Sequence, residues 1–579
     1  MTTGLSRALA AAIVAMIAAS MATGDEAPLR QVRDAPYAQV VVRQWTAADG
    51  LPDDAVERIW VDGSGRVVAK TPEGFAALDR ERWVRTEPSP EPPLPTVDDL
   101  PRRPPWEPVT VAGRDHQGRL WIGTVQGLAR WTGKRWHAYH SRRWLPDDRV
   151  NDVAFDGEGA VWVATAGGAA RIATEKMTLE GKAERFHAAL RKRHVWRGLV
   201  RASRLESPGQ VEPFRLPSDD NDGLWTALYV AAESFRYAAT GDDEARRNAT
   251  ESLDALLLLE SITDLPGFIA RSYMPAGEGP QHGGEWHRSR DGRWDWKGDT
   301  SSDELDGHVF AWSVYYDLVA DEAYRRRIAE VASRVMDRIL GDGYLWLGPN
   351  DKPTTWGMWA PDQLNHHPKW ILERGLNSLE ILSHLKVAHH VTGDEKYHRE
   401  YMALIDDHGY AINTILQKIV FPPTEVNHSD DELAFLAYYP LLQYEKDPRL
   451  REIYRMSLER SWLAERPERS ALFNFIYGSA ADGTFDLAES VASLRDVPLD
   501  LVCWTVTNST RNDVSRAKFL GRFDQAVASV VLPPSERRLI RWNGDPYQLD
   551  GGHDGLREDD GTFFLLPYWM ARYYQFLVP

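Results

Sequence analysis

Four times the chain stops one helix and starts another with nearly the same joint. These are Thr240-Gly241-Asp242-Asp243, Ala320-Asp321-Glu322-Ala323, Thr392-Gly393-Asp394-Glu395 and Glu445-Lys446-Asp447-Pro448. Glycine ends a helix and Asp caps the next, so each joint predicts a tight turn between antiparallel helices. Before each joint runs a pattern that is apolar on nearly all sides, over 224–239, 309–319, 376–391 and 433–444; after it comes a charged, amphipathic one. Buried helices alternating with solvated ones predict a mainly α fold, an α/α toroid of helical hairpins. A helix near 181–202 and others between 481 and 579 bring the expected count to five or six. A superhelical stack is the alternative, but the long connections at 264–300 and 341–370 fit a ring better than an array.

The first 173 residues read differently. Arg7, the apolar run 8–19 and Ser20-Met21-Ala22 predict a secretory signal over 1–22, since the run is short for a membrane span. The mature chain is therefore expected in a periplasm or outside the cell, without stable membrane insertion. Over 23–173 a turn-and-strand unit recurs, at Asp62-Gly-Ser-Gly65, Asp115-His-Gln-Gly118 and Asp156-Gly-Glu-Gly159, 53 and then 41 residues apart. The second and third copies continue to Trp121-Ile-Gly-Thr124 and Trp162-Val-Ala-Thr165; the first has Val68 in the Trp position. Alternation between turns predicts short antiparallel strands.

These units resemble the two-component-regulator propeller repeat, Asp-x-x-Gly-x-(Leu/Val)-Trp-(Ile/Val)-(Gly/Ala)-Thr-x-x-Gly. The resemblance implies a partial β-propeller-type region, with a Pro-rich linker at 87–108. Three blades cannot close a ring of four to eight. Their open edges need cover from the helical part, residues 174–579, or from self-association with another chain.

Composition removes several function classes. With 68 basic and 85 acidic residues the net charge is −17, which argues against a nucleic-acid binder. The single cysteine, Cys503, permits neither an internal disulfide nor a Cys-x-x-Cys site. Trp, with 23 copies, outnumbers both Tyr and Phe, so indoles must fill a large core or line a surface.

In a ring of hairpins the inner helices begin at one mouth, and the acidic and indole residues gather at those starts. The runs are Ser218-Asp-Asp-Asn-Asp222, Trp294-Asp-Trp296-Lys-Gly-Asp299 followed by Asp303-Glu304-Leu-Asp306-Gly-His308, Trp356-Gly-Met-Trp359 leading to Asn365, and His428-Ser-Asp-Asp431-Glu432. Ser301-x-x-Glu304 and Ser429-x-x-Glu432 both read as capping boxes, which accounts for one carboxylate per helix and not for the surplus. Carboxylates beyond that need can divide acid and base roles. Indoles in polar, Gly-rich loops suit the apolar faces of sugar rings. Arg271, Tyr273 and His282 form a second constellation, able to neutralise a uronate and move its α-proton. His282, Glu285 and His287 match no standard zinc motif; no cofactor is expected, with a divalent metal left open.

The helical ring and this mouth together resemble the six-hairpin superfamily of α/α-toroid glycan enzymes over about 180–579. The resemblance implies carbohydrate cleavage and carries over no catalytic residue. The leading expectation is an exported glycosidase: Asp303 or Glu304 as general acid, Asp431, Glu432 or Asp222 as base, and Trp296 and Trp356 as sugar platforms. Asp299, His308, Asn365 and His428 join Arg271 and Tyr273 as expected substrate contacts. A polysaccharide lyase using Tyr273 or His282 as base and Arg271 as uronate clamp, and a non-catalytic glycan binder or sensor partner, are the alternatives.

Overall fold

The computed structural model describes residues 30–97, 99–278, 283–417, 427–480 and 484–579, so the predicted signal and His282 lie outside the described residues. Fourteen α-helices and several small sheets are present among them. No described helix is long and apolar enough to cross a membrane.

The repeats form three four-stranded antiparallel sheets. The first comprises β2 (Arg58–Val61), β3 (Val67–Thr71), β4 (Gly74–Asp79) and β5 (Arg82–Thr86). The second comprises β6 (Val109–Arg114), β7 (Leu120–Thr124), β8 (Gly127–Trp131) and β9 (Trp136–Tyr139). The third joins β10 (Val150–Phe155), β11 (Val161–Thr165) and β12 (Gly168–Met177) to β1 (Tyr37–Trp45), which pairs with β12 from Met177↔Tyr37 to Ala169↔Trp45.

The repeat motif has a direct physical basis. The carboxylate of Asp115 accepts the backbone N–H groups of Gln117 and Arg119 and, at 2.9 Å, the indole N–H of Trp121. Asp156 does the same for Glu158, Ala160 and Trp162. One side chain thus shapes the turn and pins the core indole. In the first copy, Asp62 holds only its turn, because Val68 offers no donor.

Twelve helices build the rest. The inner ones are α2 (Asp222–Thr240), α4 (Ser302–Leu318), α6 (Arg374–Thr392), α8 (His428–Tyr444), α10 (Ala471–Ala480) and α12 (Thr562–Tyr573). Each packs on the next, and α12 packs back on α2, so the six close a ring. Outside them lie α3 (Asp243–Ser261), α5 (Glu322–Gly341), α7 (Glu395–Asp406), α9 (Pro448–Glu465) and α11 (Leu487–Asp496), each following its inner partner. The sixth outer helix, α1 (Leu179–Arg193), comes first in the chain and packs on α12, the last helix of the chain.

The joints are built as their residues dictate. Gly241 and Gly393 sit at φ 71° and 69° as C-caps, and Asp242, Asp321, Asp394 and Asp447 each accept a backbone N–H of the outer helix they start. The two capping boxes at the mouth are not formed. The Ser301 side chain makes no cap hydrogen bond, and α8 begins one residue before Ser429, with Asn427 as its cap. Glu304 and Glu432 are instead buried inside the ring.

Residues 496–559 run between the sheets and the ring. Glu536 in this segment accepts Arg135 and Arg511 at 2.7 Å each, and Trp106 and Trp144 donate their indole N–H groups to Thr510 and Ser535. The sheets therefore brace the segment that supplies one wall of the mouth.

Candidate active site

A cavity of about 480 Å³ opens at the end of the ring where the inner helices start. Asp219, Asp220, Asn221 and Trp225 reach it from the start of α2, Ser301 and Asp303 from α4, and Ser429 from α8. Arg271 enters on a loop and Trp356 on the strand Pro353–Met358, and Arg538, Arg541, Asn543, Arg557 and Asp559 form the far wall. The lining is dominated by hydrogen-bonding groups, which suits a polar ligand more than a lipid or an apolar cofactor.

Its floor is one continuous chain of polar contacts. Asn221 donates to Asp303 at 3.2 Å and accepts from Arg271. Arg271 also donates to the Asp220 backbone carbonyl at 2.8 Å, to its carboxylate at 3.2 Å and to the Asp299 carbonyl at 3.1 Å. Lys297 completes the run on the other oxygen of Asp220. Two carboxyl groups in one cavity therefore sit in unlike surroundings. Burial pushes the Asp303 carboxyl up, against the pull of Arg271, and Asp430 adds to the rise. Asp220 is well exposed and faces two cations.

Below Asp303 the acids continue into the ring. Burial pushes Glu432 up to about 8; the charge of Asp303 adds to the rise and Arg541 opposes it. Burial also holds Glu304 well above the usual carboxylate range. Asp306 and Glu380 are both raised, by burial first; the charge of Asp303 adds to the rise of Asp306 and that of Asp306 to the rise of Glu380. His384 meets Asp306 at 2.5 Å, and Trp359 donates to Glu380 at 2.8 Å. Burial in turn lowers His384 to about 3 and His308 to about 4, so these imidazoles are neutral at pH 7.

Several expected site residues face elsewhere. Asp222 is the first helical residue of α2 and turns inward. One oxygen accepts Arg201 at 2.8 Å and Ser272 at 2.5 Å, and the other accepts the Asp219 N–H at 3.1 Å. Glu304 lies under the floor against Gly223, and His308 donates to the Glu304 carbonyl at 2.6 Å, also below the cavity. Asp431 faces His428, away from the lining. Asn365 donates to the His408 carbonyl and accepts Asn413, a loop tie.

The strands β13 (Tyr273–Pro275), β14 (Trp286–Arg288) and β15 (Trp294–Lys297) form a small sheet that decides two more positions. Trp296, expected as a sugar platform, is 3% exposed and stacks on His287; pairing with both neighbouring strands turns it into the core. Tyr273, expected as a lyase base, is 1% exposed between Trp196 and Trp294. Arg271, expected as a uronate clamp, is already bonded to Asp220, Asn221 and Asp299. Glu285 and His287 pair with each other at 2.5 Å.

Trp356 is 50% exposed and lines the cavity. Its strand, Pro353–Met358, is held by Asp299, whose two oxygens accept the N–H and the hydroxyl of Thr355 at 2.9 and 3.0 Å. Trp225 lies deeper with Arg541 stacked on its ring at 4.0 Å. Trp356→Ala is expected to weaken binding of an accepted ligand about tenfold, with no change in thermal midpoint, as titration calorimetry and a melting scan would register. Gly223→Ala should act on stability instead. Its Cβ would lie 2.0 Å from the Glu304 carboxylate, so urea unfolding should show a loss of about 1–3 kcal/mol.

Sequence reasoning missed Asp220 and Asn221, although it singled out the run that contains them. The phase of α2 separates them from Asp222, and no periodicity fixes where that helix begins.

No protein-family model matches the chain, and no curated protein sequence matches it. Among solved structures it is similar to the GH76A α-1,6-mannanase from Salegentibacter sp. HEL1_6 and to an inactive variant of that enzyme in complex with α-1,6-mannotetrose. Each comparison gives 10% identity and a TM-score of 0.29, and covers 69% of this chain and 98% of the other. A likeness of that size assigns neither a site nor a substrate.

Proposed function

We propose that this chain is an exported glycoside hydrolase that cleaves glycosidic bonds in the mouth cavity. The observation that carries the reading is the floor network: Asp303 and Asp220 open onto one polar cavity in opposite electrostatic surroundings, beside an exposed indole. A buried carboxyl group that holds its proton and an exposed carboxylate beside two cations can serve as acid and base in one reaction. Asp303 gives its proton to the glycosidic oxygen as the bond to the anomeric carbon breaks. Asp220 takes a proton from water, whose oxygen bonds that carbon, and the products together contain one added water. Asn221 and Arg271 hold the two carboxyl groups in place, and Trp356 carries a sugar ring. The apolar run 8–19 after Arg7, read as an export signal, supports a substrate outside the cytoplasm.

The test is a panel of neutral and acidic oligosaccharides, α-1,6-mannan among them, read by release of new reducing ends. The expected result is cleavage of at least one, abolished by Asp220→Asn and by Asp303→Asn. Binding without cleavage across the panel would favour a non-catalytic glycan binder.

A further inference from the structure

One buried cluster of ionisable side chains takes no part in this chemistry. His428 stands in the first turn of α8, Glu465 at the end of α9, and Glu468 in the 3-10 turn Arg466–Glu468 that leads to α10. They are 4%, 2% and 6% exposed, and one ligand atom from each lies within 4.8 Å of the other two. His428 Nδ1 is 3.3 Å from Glu468 Oε1, and its Nε2 is 3.5 Å from Asp545 Oδ1. Neither ring nitrogen makes a hydrogen bond, and the same is true of both Glu465 oxygens and of Glu468 Oε1.

Buried polar groups are ordinarily paired, and buried charges are paired or bind metals. A single proton shared between Glu465 and Glu468 would satisfy the two carboxyl groups. It would leave the imidazole, at ion-pair distance from Asp431, Glu468 and Asp545, with no hydrogen bond to any of them. The charge of Glu468 acts on the buried Arg537, yet no described ion pair joins Arg537 to Glu465 or Glu468. Three donors within 4.8 Å of one another fit around one cation with bonds of about 2.0–2.4 Å.

We propose that His428, Glu465 and Glu468 bind one divalent transition-metal cation, zinc or manganese. An imidazole with two carboxylates suits these ions, whereas calcium takes oxygen ligands alone. The role is structural. The cation staples the start of α8 to the end of α9, next to Ser429 on one cavity wall and, through Asp545, next to Asn543 and Gly544 on another. The site stands whether or not the cavity cleaves glycans.

The experiment uses the full mature chain, purified without a metal-affinity tag and dialysed against a chelator. Titration calorimetry with zinc and with manganese should show uptake of about one equivalent of at least one of them, and loading should raise the thermal midpoint. Glu465→Gln combined with Glu468→Gln should weaken that binding more than about a hundredfold, beyond the effect of losing an outer-shell partner, with the far-ultraviolet dichroism unchanged. No saturable uptake by the wild-type chain would overturn the proposal. So would uptake undiminished in both the double variant and His428→Ala. Should the variants fail to fold, the wild-type titration decides alone.

Discussion

Asp303→Asn is expected to lower turnover of an accepted glycan by about 10²–10⁴-fold while leaving its binding and the fold largely unchanged. The amide keeps an oxygen for the Asn221 donor that now meets Asp303 at 3.2 Å, so the floor network survives while the transferable proton is lost. Removing a group that acts only in the transition state lowers kcat and leaves KM nearly constant. A second comparison separates proton donation from general damage. An aryl glycoside whose phenol is acidic needs little protonation to depart, so the variant should lose much less on that substrate than on a natural oligosaccharide. An equal loss on both would remove the general-acid role.

Glu432→Gln is expected to flatten the pH dependence of stability. The folded-state value of Glu432 is about 8, against 4.5 for a free glutamate, because burial and the charge of Asp303 oppose ionisation. A group raised on folding contributes stability that is fully present below its unfolded value and is lost as pH rises through the folded value. Glu432 should therefore destabilise the native chain progressively from about pH 4.5 to pH 8, on the order of 5 kcal/mol in total before relaxation of the site. Glu304, Asp306 and Glu380 are raised in the same direction, so the wild-type decline is steeper than Glu432 alone produces. Urea unfolding of wild type and variant at pH 5 and pH 9 isolates the one contribution. The variant should gain on the wild type at pH 9 relative to pH 5; an unchanged difference would mean that Glu432 ionises freely.

The ring was legible because its joints are local chemistry. A glycine at positive φ and an aspartate accepting a helical N–H need no tertiary information, and Gly241-Asp242 and Gly393-Asp394 supply both. The repeat turns at Asp115 and Asp156 are local in the same sense. Strand β1 was not legible: it completes the third sheet across more than a hundred residues, and its pairing is set by an edge that local pattern does not reveal.

The site was legible as a region and not as a set of side chains. Asp220 and Asp222 are two residues apart in one acidic run, yet Asp220 lines the cavity and Asp222 meets Arg201 inside the protein. The difference comes from where α2 begins and from an arginine in a segment with no helical or strand periodicity. The same holds for the indoles. Trp356 sits on the strand Pro353–Met358, paired on one side only and tied by Asp299, whereas Trp296 is turned inward by strand pairing on both sides. The capping boxes misled for a related reason. A Ser-x-x-Glu run describes a helix start in water, and both Glu side chains here point into a closed ring where desolvation overrides the capping preference. The cluster of His428, Glu465 and Glu468 draws on residues up to forty positions apart, and only the packing of α8 on α9 brings them together.

The mouth cavity as a seat of hydrolysis is tested most directly by the fate of the oxygen atom. Cleavage of an accepted oligosaccharide in water enriched in the heavy oxygen isotope should place the label on the new reducing end, as mass spectrometry of the products would record, and Asp303→Asn should suppress that labelled product. An unlabelled, unsaturated product absorbing in the ultraviolet, or a labelled product formed at the wild-type rate by the variant, would contradict the account.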